Sequence, residues 1–121
     1  MDVLIIESNA ELAALWQGHM ERQGLRVRVA LGGSDAVKVI ATSHVDVIIL
    51  DLFLQQGSAI AVADYAQFKL PDVSVIFVTD TTFFSDGSIF AHVPAARAFL
   101  PSATRPEDLT AVVQHCGRAA A

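Results

Sequence analysis

Val45-Asp46-Val47-Ile48-Ile49-Leu50-Asp51 is a near-continuous apolar run that closes on an acid. Such a run suits a strand of a parallel sheet buried on both faces, where apolar residues are not alternated with polar ones. Asp51 then emerges at the strand's carboxyl end, the edge where ligands and chemistry gather in open α/β sheets. Val3-Leu4-Ile5-Ile6 ends in the same way at Glu7, and Val73-Ser74-Val75-Ile76-Phe77-Val78 ends at Thr79 and Asp80. Three strands that deliver polar groups to one edge define a candidate site.

Between these runs lie helical stripes. Ser8-Asn9-Ala10-Glu11 has the form of a capping box, and Leu12, Leu15, Trp16, His19 and Met20 follow at helical spacing. Gly24 stops that helix, and Leu25 to Ala30 alternate apolar residues with Arg26 and Arg28, as in a strand near the sheet edge with one solvated face. Ser34 is expected to cap a second helix carrying Val37, Ile40 and Ala41, and Gly57-Ser58 opens a third with Ala59, Val62, Ala63, Ala66 and Leu70. Residues 84–93 suit a helix low in charge, residues 97–100 a short fifth strand, and Thr104-Arg105-Pro106-Glu107 a capping box with Pro in the first turn. Leu109, Val112, Val113 and Cys116 form the last stripe, and Ala119-Ala120-Ala121 is expected to fray. The alternation predicts an α/β fold: a doubly wound five-stranded parallel sheet with helices on both faces, a flavodoxin-like (βα)5 arrangement.

The 121 residues suit one domain, and 53% hydrophobic against 17% charged residues provides a sizeable core. A net charge of -5 with 8 Lys+Arg argues against broad nucleic-acid binding. The single cysteine, Cys116, excludes an internal disulfide, fits a reducing cytoplasmic setting, and reads as a packing residue on its stripe. No apolar stretch reaches the ~18 residues of a membrane span, and no signal peptide is visible. Clustered strand-end acids by themselves suggest divalent-metal binding or phosphoryl chemistry.

The ordered set of segments resembles the receiver domain of two-component response regulators over nearly the whole chain. Val3 to Asn9 is similar to the receiver's first strand and acidic turn, and Asp46 to Leu52 to the strand carrying the phosphoacceptor. Val75 to Thr79 resembles the strand ending in the phosphate-sensing hydroxyl, Ala98-Phe99-Leu100 the segment with the switch aromatic, and Pro106 to Leu109 the entry to the last helix. The resemblance implies Asp51 as phosphoacceptor, Thr79 as phosphate sensor, Phe99 as switch aromatic, and Glu7 with Asp51 as a weak Mg²⁺ site. It also implies a histidine kinase or phosphotransfer protein upstream and a protein partner downstream. No enzyme activity, direct nucleic-acid contact or membrane contact is expected.

Several positions depart from the receiver pattern. Ser8 stands where receivers place a direct metal-ligating acid, and a hydroxyl is a poorer ligand for a hard cation. Ser102 takes the lysine position and Ala103 that of the following proline; the chain's lysines, Lys38 and Lys69, lie elsewhere. Gln55 replaces a loop proline, and Asp80 adds negative charge where a small residue is usual. Strand alternation argues against Asp80 as the missing ligand.

Other residues have plainer readings. His19, His44, His92 and His115 lack ligand spacing and suit surface or packing roles, while Trp16 anchors its helix on the sheet. Phe83, Phe84, Ile89, Phe90 and Val93 exceed what a core requires and favour a partner surface, including a homodimer through the 84–93 helix, the fifth strand and the last helix. The leading expectation is a stand-alone atypical receiver. The alternative is a phosphorylation-independent interaction module on the same fold. A phosphatase-like hydrolase is disfavoured, because Phe53 occupies the place of a second catalytic acid.

Overall fold

The computed structural model describes residues 1–80 and 93–120, with side chains through Gly117. Nine elements follow in chain order: β1 (Asp2–Ile6), α1 (Ala10–Arg22), β2 (Arg26–Ala30), α2 (Gly33–Thr42), β3 (Val47–Asp51), α3 (Ala59–Lys69), β4 (Ser74–Thr79), β5 (Ala96–Pro101) and α4 (Pro106–Ala120). The strands form one parallel sheet in the order β2-β1-β3-β4-β5. The doubly wound expectation holds, with β3 central and the Arg-bearing β2 at an edge. The helix expected over 84–93, with Phe83, Phe84, Ile89, Phe90 and His92, lies outside the described residues; Val93 is buried.

The alternation of side chains along a strand divides the core in two. Leu4 and Ile6 of β1 join Ile48, Leu50, Val75 and Phe77 beneath Ala36 and Ile40 of α2 and Val62, Ala63 and Ala66 of α3. Val3 and Ile5 join Val47, Ile49, Ile76 and Val78 beneath Ala13, Trp16 and Met20 of α1 and Leu109, Val113 and Cys116 of α4. Fully burying each large aliphatic side chain is worth roughly 1.5–3 kcal/mol, so the two layers hold the central strands rigidly. The site therefore stands on well-anchored strand ends.

Local details differ from the sequence expectations in instructive ways. Asn9, not Ser8, caps α1: its side chain accepts from the Leu12 amide, while Ser8 Oγ accepts from the Gln55 amide at 3.0 Å. The stripe of α1 is Ala13, Trp16 and Met20, and Leu15 is 55% exposed. Gly32 caps α2 without a side chain, and the Ser34 amide instead donates to Gln56 Oε1 at 3.0 Å. The buried face of α2 is Gly33, Ala36 and Ile40, leaving Val37 partly outside. Thr104 is one residue removed from α4, which starts at Pro106, and its hydroxyl donates to the Pro101 carbonyl at 2.6 Å. The tail expected to fray is helical through Ala120. Ser58 caps α3 as expected.

Two glycines shape the loop after β3. Gly57 has φ +90°, a conformation that L side chains rarely adopt. It also meets the start of α2 backbone to backbone, since a Cβ at Gly57 would lie 3.1 Å from Gly33 Cα. The Gly33 amide donates to the Gln56 carbonyl at 2.8 Å, pinning the same contact.

Candidate functional site

The parallel register sets the site. Ile6 pairs with Leu50, and Glu7 and Asp51 come next on β1 and β3. Asp51 itself pairs with Val78 of β4, and Thr79 pairs with Pro101 of β5. Glu7, Ser8, Asn9, Leu12, Asp51, Phe53, Gln55, Asp80, Ser102 and Ala103 line one cavity of about 480 Å³ that opens to solvent. The acids at residues 7 and 51, expected to share one rim, do so.

Glu7 is only 3% exposed, yet its Oε2 has no hydrogen-bond partner. Burial is the largest cause pushing its carboxyl up to about 8; the hydrogen bond and the charge shared with Asp51 add to this, as does the charge of Asp80, while the Ser8 amide opposes it. Two carboxylates offer only acceptors to one another, so a proton or a cation must lie between them. Asp51 is half-buried, and its Oδ1 accepts from the Phe53 amide at 3.0 Å. The loop that follows is held by the Leu52 amide donating to the Val78 carbonyl at 2.9 Å and by the Gln55–Ser8 bond.

These residues fit a small divalent cation. A buried oxygen without a donor, a second carboxylate on the adjacent strand and an open mouth for water form a hard-oxygen donor set. Glu7 and Asp51 would hold the ion. Ser8 contributes a hydroxyl already engaged with Gln55, so the donor set is one carboxylate short.

The remaining expected residues lie around this centre. Thr79 is buried at the end of β4, and its carbonyl accepts from the Ser102 amide at 2.7 Å. Phe99 of β5 is half-buried against Phe77, with ring centroids 6.3 Å apart and planes tilted by 31°. Ser102 lines the cavity and brings no charge to it. Neither Lys38 nor Lys69 is part of this lining: Lys38 lies beside the α2–α3 groove and Lys69 beside Asp46 and Pro71.

Asp80 follows Thr79 at the strand end that the sequence assigned to the site. β4 ends at Thr79, so the pleat no longer dictates where residue 80 goes, and Asp80 joins the cavity lining. Its position directly after a strand end was the signal available in the sequence. His44, expected in a surface or packing role, is exposed. At the sheet's opposite edge it gathers with Asp2 and Asp46, its Nε2 lying 2.9 Å from Asp46 Oδ1. Arg26 pairs with both oxygens of Asp2 there, holding that carboxyl below the usual range, and the Asp2 amide donates to Asp46 Oδ2. Spacing in sequence could not reveal this group, because adjacency of β1 and β3 creates it.

Comparison with known proteins agrees with this geometry. The sequence pattern described as response regulator receiver domain matches residues 3–114. Regulatory protein LuxO of Vibrio cholerae is 30% identical over 93 residues, covering 77% of this chain and 19% of that protein. The chain thus spans about a fifth of the length of the curated relatives it matches. The signal receiver domain of a Luxo repressor from Vibrio parahaemolyticus superposes with a TM-score of 0.84 at 27% identity, covering 98% of this chain and 91% of that one. A CheY-like receiver domain from Methanospirillum hungatei shares the fold at a TM-score of 0.90 and 16% identity, covering 98% and 94%. No helix among the described residues is long and apolar enough to cross a membrane. With the strand order, the acidic cavity and the matched span in agreement, the chain belongs to the response regulator receiver domain family of two-component signalling.

Proposed function

We propose that Asp51 accepts a phosphoryl group from a phosphohistidine on a histidine kinase or phosphotransfer protein. The observation that carries this reading is the position of Asp51 at the carboxyl end of the central strand, inside the open cavity it shares with buried Glu7. An Asp51 carboxylate oxygen attacks phosphorus, the N–P bond of the phosphohistidine breaks, and the imidazole leaves with a proton from solvent. The product is an acyl phosphate on Asp51. Mg²⁺ held by Glu7 and Asp51 would neutralise the phosphoryl oxygens during transfer. The Ser8–Gln55 bond ties the loop after β3 to the end of β1 beside the cavity. Thr79 senses the new group, and Phe99 communicates it by repacking against Phe77.

Incubation with a small phosphodonor or phosphorylated kinase and Mg²⁺, followed by Phos-tag electrophoresis, tests this. One labelled band is expected for the native chain and none for Asp51→Asn. Label that persists in Asp51→Asn removes Asp51 from the mechanism.

A second reading has its own support. Ser8 and Ser102 line the cavity where receivers present a ligand and a lysine, and Lys38 and Lys69 are remote from it. A module that signals by constitutive protein contact needs neither charge. It predicts no Mg²⁺ binding in the millimolar range of weak carboxylate sites, so an Mg²⁺ titration separates the two readings.

A further inference from the structure

We propose that Asp80 completes a divalent-cation site in this chain, holding the ion's water at the cavity rim in place of the carboxylate that Ser8 does not supply. The inference rests on reading the cavity as a cation site, and extends it to a residue outside the receiver pattern.

Three observations carry it. Glu7 Oε2 is buried, without a partner, on a side chain that lines the cavity, so the cavity contains an acceptor that a cation would satisfy. Asp80 lines the same cavity beyond the last pleat of β4, and its charge acts on Glu7. Ser8, in contrast, directs its hydroxyl oxygen at the Gln55 amide.

The division of labour follows from cation chemistry. Mg²⁺ binds oxygen at short range, loses water reluctantly and keeps several waters when bound to protein. A carboxylate at the rim therefore contributes without touching the ion, by accepting hydrogen bonds from those waters and adding its charge. Asp80 is exposed while lining the cavity, so it meets the solvent at the rim. Its position suits this outer role: the carboxylate groups of Glu7, Asp51 and Asp80 do not converge closely enough to share one ion directly, whereas Asp2, His44 and Asp46 meet that closeness at the other edge. That second group already has Arg26 and a backbone amide as partners.

The test uses Mn²⁺ as the probe, with free ion measured by electron paramagnetic resonance during titration of the whole chain. Asp80→Asn is expected to weaken Mn²⁺ binding about tenfold, the low end of the effect of removing an outer partner. Ser8→Asp in the Asp80→Asn background should restore binding to near the native level. Asp72→Asn, at an exposed acid away from the cavity, should leave it unchanged. Circular dichroism verifies that each variant is folded. Native-like affinity in Asp80→Asn, or equal weakening by Asp72→Asn, overturns the role of Asp80 while leaving the cation site standing. Absence of Mn²⁺ binding by the native chain overturns the cation reading itself, and this inference with it.

Discussion

Glu7 and Asp51 are joined carboxyl to carboxyl at the ends of two adjacent strands, with burial holding a proton on Glu7 up to a pH of about 8. The ordinary value for such a group is 4.5. The folded chain therefore retains a proton that the unfolded chain releases over that interval.

The sign of the stability effect follows by linkage. A raised folded-state value gives stability that is fully present below the unfolded value and is lost as pH rises through the folded one. In metal-free buffer the native chain should lose on the order of 1–3 kcal/mol between pH 5 and pH 9 from this group. Glu7→Gln places an uncharged group in the same space and should flatten that loss. Urea midpoints across the pH range, with chelator present, read the difference between the two proteins. Parallel profiles would show that Glu7 does not carry the proton.

Among the described residues that line the cavity with Asp51 there is no lysine or arginine, and Ser102 stands where the receiver resemblance implies a lysine. A unit charge pair at ~4 Å is worth on the order of 4 kcal/mol at an effective dielectric near 20, so one added cation is a large perturbation. Ser102→Lys should raise the phosphorylated fraction at least several-fold under a fixed dose of small phosphodonor and Mg²⁺. Phos-tag band intensities measure it. An unchanged fraction would mean that charge at this position does not limit acyl phosphate formation.

How much of this was legible in the sequence depends on the range of the interaction. The β-branched runs ending in Glu7, Asp51 and Thr79 identified the strands within two residues, because burial on both faces leaves a strong local signature. The caps were harder to read. The Ser8 and Thr104 hydroxyls had local capping roles available, but the Gln55 amide and the Pro101 carbonyl engage them instead, and Ser34 lies inside α2, which starts at Gly33. Asp80 was legible as a strand-end acid, but its share in the cavity lining was not, because the pleat stops at Thr79. The His44 group was invisible because it requires β1 and β3 to be neighbours.

The Gly33–Gly57 contact holds the loop after Asp51, and two glycines separate its causes. Gly57→Ala imposes an unfavourable positive φ and a Cβ 3.1 Å from the Gly33 backbone. Gly24→Ala imposes a similar φ of +88° but meets nothing within 4 Å. The Gly24 change should cost about 1 kcal/mol and the Gly57 change about 2–3 kcal/mol, the excess being steric. Chemical denaturation of both variants makes the comparison. Equal losses would show that the loop yields and the close approach is not a constraint.

His19 and Thr110 join α1 to α4, and the direction of their bond can be assigned. The Thr110 hydroxyl donates its one proton to the Pro106 carbonyl at 2.8 Å. His19 Nδ1, 2.9 Å from the same oxygen, must therefore donate. The neutral imidazole is fixed with its proton on Nδ1, the less common arrangement for a free ring. Thr110 is buried and His19 half-buried, so Thr110→Val removes the acceptor while water can still reach the ring. Its expected cost is about 1 kcal/mol, and Thr110→Ser should recover most of it. Nitrogen chemical shifts of His19 give the sharper reading: Nδ1–H in the native chain and in Thr110→Ser, with a shift toward Nε2–H in Thr110→Val. A native ring protonated on Nε2 would reverse the assigned direction and leave the Thr110 oxygen without this donor.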